Sequence, residues 1–408
     1  MEKDNRCRNR ATMVFLYTIT VLFILIVGYH YYIHYGSRNG RLINLIPGPS
    51  GYPIFGNLLQ FIGPREKQWK LLISLIDQYY PIVKLWGFSI PFVFIRHPDD
   101  LQTILHNTAH SRKNFFYDVL RPWMGNNILI SEGAKWRSIR KIITPTFYNK
   151  ILEQYAEILI TEGENMTTSL KNTGGTVVKD LESFVSEHTL NAICETSMGI
   201  SLRDFGESGQ KYRKAVNRIG ELFIYRLVRM WLHNDWIFLQ DRVRKEVETA
   251  FKENRHQFNK ELLDNLKYLH RCIQETLRLY PSVFLISRVA GEDVKLQSYL
   301  VPAGTTLVLN IYGVHRDPNF WPNPEIFDPD RFLPERKRNH HCYSHIPFSA
   351  GSRNCLGQQY AYLQIKALIV PLIQSYYLEP IDYLKNLRLQ ADLVLRPACP
   401  LRVKFVPI

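Results

Sequence analysis

The stretch Phe348-Ser-Ala-Gly351-Ser-Arg353-Asn-Cys355-Leu-Gly357 places one cysteine between two glycines near the carboxyl end of the chain. Residues 358–370, which follow directly, carry apolar side chains at helical spacing and predict a helix. Because glycine lacks a Cβ, Gly351 and Gly357 allow a tight turn and a close approach to a flat ligand. We expect backbone N–H groups of the turn and of the helix start to face the Cys355 sulfur and to stabilise its negative charge.

A cysteine presented in this way is suited to bind haem iron as a thiolate, a ligand that favours cleavage of the O–O bond. One cysteine alone is weak evidence, because a buried free cysteine usually acts as a small hydrophobe. The ten-residue pattern is stronger evidence, since it resembles the haem-binding loop of the cytochrome P450 family. The resemblance implies that Cys355 is the iron ligand and that Phe348, Gly351, Arg353 and Gly357 contact the haem.

A tryptophan and an arginine upstream point to the same ligand. Trp136 and Arg140 are four residues apart in a segment with helical periodicity, so they lie on one face. This spacing is common, and alone it equally suits a packed tryptophan beside a surface arginine. In cytochromes P450 the matching pair holds a haem propionate, a carboxylate that the guanidinium fork fits well. The resemblance implies further propionate contacts at Arg288 and Arg353.

Glu275 and Arg278, three residues apart on a predicted helix, have two interpretations. As a surface pair they would contribute less than about 1 kcal/mol to stability. The resemblance implies a buried structural pair joined by Arg331, which needs all its partners because an uncompensated buried charge costs several kcal/mol. We therefore expect these three residues to stabilise the haem-binding half without taking part in catalysis. His315-Arg-Asp-Pro318 completes the resemblance without evident chemistry.

The amino terminus carries a membrane signal. Residues 11–35 are apolar and uncharged, enough to span the hydrocarbon core as a helix, and end in a cluster of tyrosines suited to the interface. A cleaved signal peptide is the alternative, but its apolar core would be shorter and would end in small residues. We divide the chain into a short tail (1–10), a transmembrane anchor (11–35), a proline-rich connector (36–57) and a P450-like haem domain (58–408).

Charge and cysteine content limit the partners and the compartment. The formal net charge of +14 suits anionic lipid or an acidic protein. Nucleic acid is the alternative, but the basic residues are spread along the chain without a zinc-finger or RNP-type motif, so we expect none. The cysteines form no CxxC pair and predict a reducing compartment. Basic residues before the anchor favour a cytosolic amino terminus, whereas the resemblance implies a lumenal one.

The remaining pattern predicts a mainly α fold with minor β-sheets, which the resemblance identifies as the cytochrome P450 fold. Strand-like runs at 81–86 and 91–95 predict a hairpin, and others lie at 294–299 and 305–312. Helical periodicity marks residues 69–80, 131–144, 151–170, 181–198 and 272–280.

The family's long central helix is missing from this sequence. That helix carries an Ala/Gly-Gly-x-Asp/Glu-Thr-Thr pattern, crosses the distal face of the haem and delivers protons during oxygen activation. Residues 231–238 resemble the sequence well before it and residues 239–248 the sequence just after it, so the flanks are joined near Phe238 and Leu239. We therefore identify no catalytic proton-relay residue. A skipped exon or an imperfect gene model would produce this junction, and sequencing the transcript across codons 238 and 239 would test which of them applies.

These observations predict a monooxygenase anchored in the endoplasmic reticulum membrane and facing the cytosol, similar to the family 4 fatty-acid hydroxylases. The resemblance implies haem b, a fatty-acid-like or xenobiotic lipophilic substrate, and electrons from NADPH through a flavoprotein reductase, with cytochrome b5 as a further partner. Two alternatives are a catalytically inactive haem-binding or membrane interaction protein, and a membrane-tethered scaffold without haem. The substrate-pocket candidates by resemblance are Phe116, Ile128, Val283, Phe284, Leu285 and Leu395.

Overall fold

The computed structural model divides the chain into two compact units. One comprises Met1–Phe115 and Ser287–Leu309, the other Phe116–Ile286 and Asn310–Ile408. The residues that the structure describes are 2–121, 125, 127–206, 212, 236–255, 257–338, 340–382, 389–391, 395–397 and 401–408. Within these ranges the fold is mainly helical with small sheets, as the sequence predicts.

The bounds of the regular elements are as follows. The α-helices are α1 (Glu2–Tyr31), α2 (Arg38–Leu45), α3 (Arg65–Gln78), α4 (Pro98–His106), α5 (Gly133–Ile143), α6 (Asn149–Lys171), α7 (Leu181–Met198), α8 (Trp236–Glu253), α9 (Lys260–Asn265), α10 (Lys267–Leu279), α11 (Ile311–Val314), α12 (Pro334–Lys337) and α13 (Gln358–Ser375). The strands are β1 (Ile82–Gly87), β2 (Ile90–Ile95), β3 (Val177–Asp180), β4 (Leu285–Val289), β5 (Val294–Lys295), β6 (Leu300–Val301), β7 (Thr306–Asn310), β8 (Tyr376–Pro380), β9 (Leu389–Ala391), β10 (Leu395–Pro397) and β11 (Arg402–Pro407).

The amino-terminal helix has the length and composition of a membrane span. Among the described residues, the segment Met13–Gly36 has a mean hydropathy of 2.1 and none of its most apolar window is buried. It matches the predicted anchor at 11–35 and is compatible with attachment to a membrane.

Helix α2 was not expected, because the sequence predicts a connector from residue 36 onward. Its start is stabilised by Ser37, whose Oγ accepts a hydrogen bond from the Gly40 N–H at 2.9 Å, and it ends before Pro47.

The first unit is built on a sheet with the strand order β1-β2-β7-β4. β1 and β2 form the predicted antiparallel hairpin, and β2 pairs with β7 in parallel. The proline-containing connector packs along β1, since the Lys84 N–H donates to the Pro47 carbonyl at 2.9 Å and the Trp86 N–H donates to Asn57 Oδ1 at 2.8 Å. The connector is thus held against the sheet through the main chain of Pro47 and the side chain of Asn57.

Two predicted strands are shorter than their sequence patterns. The run 294–299 forms only β5, which pairs with β6. The run 305–312 ends as strand β7 at Asn310, because the Asn310 Oδ1 accepts the Gly313 N–H at 2.9 Å and so begins helix α11. β-branched composition predicted the strand, and a single capping side chain set its end.

The core of the second unit surrounds α13, which packs with α6, α8, α9 and α10 in one apolar cluster. The sequence predicts a helix at 358–370, before Pro371, but α13 continues through the proline to Ser375. Pro371 has no N–H and leaves the Ala367 carbonyl without its intrahelical donor. Helix α6 approaches that same carbonyl at Gly163, where a Cβ would lie 2.2 Å from the oxygen. The close approach of the two helices at this point leaves no room for a side chain at residue 163.

Replacing Gly163 by alanine is therefore expected to destabilise the second unit by about 1–3 kcal/mol, because one helix must move away from the other. The measurement is the free energy of unfolding in denaturant. Thr161→Ala, an exposed position on the same helix, is the matched control and is expected to change stability by less than about 0.5 kcal/mol. Equal effects of the two substitutions would contradict the close-packing account.

Candidate functional site

The Cys355 loop is a tight turn held by its own main chain. Gly351 has a positive φ of 72°, which explains why a glycine stands there. The Asn354 N–H donates to the Gly351 carbonyl at 3.2 Å, and the Cys355 N–H donates to the Phe348 carbonyl at 2.9 Å. Helix α13 begins three residues after the cysteine, at Gln358. The turn and the helix start thus lie on either side of the thiol.

The environment of the Cys355 thiol agrees with the expected N–H contact and adds an opposing effect. Desolvation by the surrounding protein raises the pKa of the thiol, whereas the Gly357 N–H and the Arg140 guanidinium lower it. Gly357 has an ordinary φ, and a Cβ there would lie 4.0 Å from the Cys355 Sγ. The side chain is nevertheless exposed to solvent. A metal cation would displace the proton, so the net upward shift is compatible with a thiolate ligand.

Arg140 connects helix α5 to this loop. Its Nη1 donates to the Asn354 carbonyl at 2.8 Å and its Nη2 donates to the Asn354 Oδ1 at 2.6 Å. Asn354 was not singled out from the sequence, and only its place beside the cysteine marks it. The arginine was expected to bind a propionate, and in this structure it holds the loop. A propionate contact of Arg140 stays a prediction.

Trp136 lies between two arginines. The guanidinium carbon of Arg353 is 4.1 Å from the centre of the indole, and that of Arg140 is 5.7 Å from it. Both distances allow cation–π interaction. The structure therefore brings together four of the residues predicted to bind haem, which are Trp136, Arg140, Arg353 and Cys355.

This group of side chains fits haem. It combines one thiol for an axial position with two guanidiniums and an indole N–H suited to carboxylates. None of the side chains of α5 is buried, and Ile142 is 72% exposed, so apolar surface remains uncovered on the same helix. A flat, apolar ligand with two carboxylates matches both the donors and the uncovered surface.

Of the other predicted haem contacts, Gly351, Gly357 and Phe348 belong to the Cys355 loop, and Arg288 belongs to the first unit. Phe348 is half-buried and packs on Tyr362, with ring centres 5.5 Å apart. Arg288 belongs to the first unit, where it is buried on β4 and its Nη1 donates to the Ser287 carbonyl at 2.9 Å. Its propionate contact stays a prediction.

Glu275, Arg278 and Arg331 are in contact in the core of the second unit. Glu275 and Arg278 are fully buried and joined by two hydrogen bonds of 2.7 and 2.8 Å. Arg331 Nε lies 3.5 Å from Glu275 Oε1, and the Asp328 N–H donates to the same oxygen at 2.9 Å. Burial raises the pKa of Glu275, and the two arginines oppose this effect. The geometry is that of a buried pair with a third partner, and the surface interpretation does not apply.

Two histidines beside this pair were not assigned a role from the sequence. His315 is completely buried, and burial lowers its pKa well below 6.5. Burial likewise lowers the pKa of His345 to about 3. Their rings lie 5.1 Å apart. Both are neutral in the folded protein at neutral pH.

Acidification is therefore expected to destabilise the second unit. The unfolded chain binds a proton at each histidine below about pH 6.5, whereas the folded chain does not until much lower pH. Stability is thus complete above that pH and falls below it by about 1.4 kcal/mol per pH unit for each buried histidine. Denaturant unfolding between about pH 7.5 and about pH 5.5, above the carboxylate range, measures the slope. His345→Phe should reduce this slope by the contribution of one histidine, about 1.4 kcal/mol per pH unit. An unchanged slope would contradict the assignment of His345 as neutral in the folded protein.

The predicted substrate-pocket residues do not form a described cluster. Ile128 and Leu285 are half-buried, Phe284 is buried and Val283 is 37% exposed. The side chains of Phe116 and Leu395 lie outside the described residues. The pocket stays a prediction.

The predicted junction at Phe238 and Leu239 falls inside helix α8. Residues 213–235, which include most of the upstream flank 231–238, lie outside the described residues. Beyond the junction, the Gln240 amide exchanges two hydrogen bonds with the Leu378 backbone at 2.8 and 3.0 Å, and Arg244 Nε donates to the Ile373 carbonyl at 2.9 Å. Helix α8 is thus firmly attached to α13 and β8 directly after the junction.

Comparison with known proteins identifies a family match across nearly the whole chain. The family model described as Cytochrome P450 matches residues 46–239 and 238–405, two segments that meet at the predicted junction. Cytochrome P450 4c3 of Drosophila melanogaster is 28% identical over 491 positions, covering 91% of this chain and 92% of the relative. Cytochrome P450 4c21 of Blattella germanica is 27% identical, covering 96% and 98%. Cytochrome P450 4V2 of Homo sapiens is 27% identical, covering 87% and 88%.

The alignment lengths show that the relatives contain residues that this chain lacks. Of the 408 residues, 91% is about 371, so about 120 of the 491 positions aligned with the Drosophila protein hold no residue of this chain. The family match breaks at one place only, between its two segments. The relatives therefore have positions without a counterpart in this chain, and their location near residues 238 and 239 stays a prediction.

Proposed function

Because the chain belongs to the cytochrome P450 family, whose members are haem monooxygenases, we propose that it oxidises a fatty-acid-like or xenobiotic lipophilic substrate with Cys355 as the iron ligand. The observation that supports this most directly is the convergence of Trp136, Arg140 and Arg353 on the Cys355 loop. The relatives are named as family 4 proteins, which agrees with the resemblance to the family 4 fatty-acid hydroxylases from which the fatty-acid-like substrate is proposed.

The residues of this chain have separate tasks at the site. Haem b, when bound, supplies the iron chemistry by which one oxygen atom of O₂ is inserted into the substrate. Cys355 provides the thiolate, and the Gly357 N–H stabilises its charge. Arg140 fixes the loop through Asn354, while Trp136 and Arg353 present an indole N–H and a guanidinium to the carboxylates of the group.

The family also requires an electron donor and a lipophilic substrate. We propose NADPH as the electron source, a flavoprotein reductase as the redox partner and cytochrome b5 as an accessory donor. The apolar helix near the amino terminus supports anchoring in a membrane, and we propose the endoplasmic reticulum with the haem domain (58–408) in the cytosol. The net charge of +14 suits an acidic redox partner.

A second candidate is a haem-binding protein without monooxygenase activity. The break in the family match at 239/238 favours it, because the oxygen-activating pattern of the family belongs to a helix that this sequence does not contain. In this case the Cys355 loop would still bind haem, but no side chain of that helix would deliver protons.

One experiment separates the two candidates. The full-length chain is expressed in microsomes with its reductase, and NADPH-dependent hydroxylation of a saturated fatty acid is measured beside the haem content. Hydroxylated product that is lost in Cys355→Ala supports the monooxygenase. One equivalent of haem without product supports the inactive candidate. A chain that binds no haem contradicts both.

A further inference from the structure

We propose that His315 is a positioning residue for the Cys355 loop, because its neutral imidazole joins helix α10 to the segment that leads into the loop. The proposal rests on the proposed role of Cys355 as iron ligand. His315 belongs to the motif His315-Arg-Asp-Pro318, to which the sequence assigned no chemistry.

One ring nitrogen of His315 faces a hydrogen-bond acceptor, and the other faces a donor. Nδ1 lies 3.2 Å from the Leu277 carbonyl, which can only accept, so Nδ1 carries the proton. Nε2 lies 2.8 Å from the Ile346 N–H, which can only donate, so Nε2 offers its lone pair. One neutral tautomer satisfies both contacts. A protonated ring would lose the bond to Ile346, because Nε2 would then also be a donor.

The bridge begins at a rigid point of the core. Arg278 Nη1 donates to the His315 carbonyl at 2.9 Å, and Arg278 is itself held by the Glu275 carboxylate. The His315 N–H donates to the Ile311 carbonyl at 3.1 Å. Both the N–H and the carbonyl of His315 are therefore hydrogen-bonded, which fixes the main chain from which its ring extends.

The other end of the bridge reaches the cysteine in two short steps. The Ile346 carbonyl accepts the Ser349 N–H at 2.9 Å, which closes the turn that contains Phe348. The Phe348 carbonyl accepts the Cys355 N–H at 2.9 Å. A displacement of Ile346 would thus move the carbonyl that holds the cysteine main chain. His315 is the side chain that holds Ile346.

The surroundings keep His315 neutral. Burial disfavours a positive charge on the ring, and the nearby guanidiniums of Arg278 and Arg316 oppose it further. His345 lies next to Ile346 in the chain and makes a weaker contact of its own, with Nε2 at 3.3 Å from the Gln274 carbonyl. Its ring packs against Phe332, with ring centres 4.8 Å apart. The two imidazoles therefore differ in their hydrogen bonds. Of the two, only His315 accepts a main-chain N–H, that of Ile346, from the segment that leads into the loop, and the experiment uses this difference.

The test is hydrogen exchange on the purified full-length chain, which needs no bound haem. His315→Leu removes the acceptor of the Ile346 N–H, so peptides covering residues 344–350 should exchange roughly tenfold faster, the effect of losing one buried hydrogen bond. His315→Gln keeps an acceptor at the position of Nε2 and should restore most of the protection. His345→Phe keeps ring volume beside Ile346 and is the matched control, with exchange within about threefold of the wild type.

The outcomes are distinct. Local acceleration in His315→Leu with rescue by His315→Gln supports the bridge. Unchanged exchange in 344–350, or an equal rise across all of the second unit, overturns it. In the haem-loaded protein, the fraction of the reduced carbonyl complex with the red-shifted thiolate band should fall at least threefold in His315→Leu at equal haem content. A wild-type protein without that band would count against the proposed function, whereas the exchange result decides the bridge.

Discussion

Replacing Cys355 by alanine is expected to abolish the red-shifted absorption band of the reduced carbonyl complex together with all hydroxylation. The sulfur is the one side-chain atom of the loop that can bind iron as a thiolate, and no neighbouring side chain within the described loop can replace it. The spectrum and the rate of product formation are measured on the same preparation.

The control for this substitution is Cys342→Ala. Cys342 is also a free and exposed cysteine, and it lies outside the turn that presents Cys355. Its replacement is expected to leave the spectrum and the rate unchanged. A red-shifted band that survives in Cys355→Ala but is lost in Cys342→Ala would mean that the ligand has been misassigned.

Replacing Arg278 by methionine is expected to cost about 3–5 kcal/mol of folding free energy, because Glu275 would be left as an uncompensated buried charge. Both side chains are fully buried, so water cannot substitute for the lost guanidinium. The substitution also removes the hydrogen bond to the His315 carbonyl. Thermal and denaturant unfolding of the full-length chain measure the loss.

A surface pair provides the comparison for Arg278. Lys404 and Glu379 are 2.8 Å apart, and their side chains are 41% and 52% exposed. Lys404→Met is expected to cost less than about 1 kcal/mol, since exposed ion pairs are screened and contribute little. Similar losses for the two substitutions would show that burial does not determine the contribution of the Glu275 pair.

Regular periodicity predicted the position of six of the described helices, which are α3, α5, α6, α7, α10 and α13. Helix α7 has the predicted bounds, and α5 and α6 differ from theirs by two residues or fewer at each end. Helix α6 carries its apolar residues mainly on one face, which it buries in the core, and this pattern is the one that helical periodicity recognises. Helix α13 was predicted to end at residue 370, before Pro371, whereas the structure continues it to Ser375.

The site could be predicted in outline from local motifs but not in its contacts. Cys355, Trp136 and Arg353 stand out because the motifs around them resemble those of cytochromes P450, since a lone cysteine or the Trp136–Arg140 spacing is weak evidence by itself. The partners of Arg140 and His315 could not be predicted in this way. Asn354 contributes its carbonyl and its small side-chain amide, and Ile346 contributes a main-chain N–H. Main-chain donors and acceptors occur at every residue, so their use depends on the tertiary fold and leaves no mark in composition.

The reduced carbonyl spectrum of the purified wild-type chain, recorded together with its haem content, tests the central claim most directly. A chain whose Cys355 loop is formed as described should bind close to one equivalent of haem and show the red-shifted thiolate band, even though the family's central helix is missing from the sequence. Haem bound with only an unshifted band, or no bound haem at all, would contradict the assignment of Cys355 as the iron ligand.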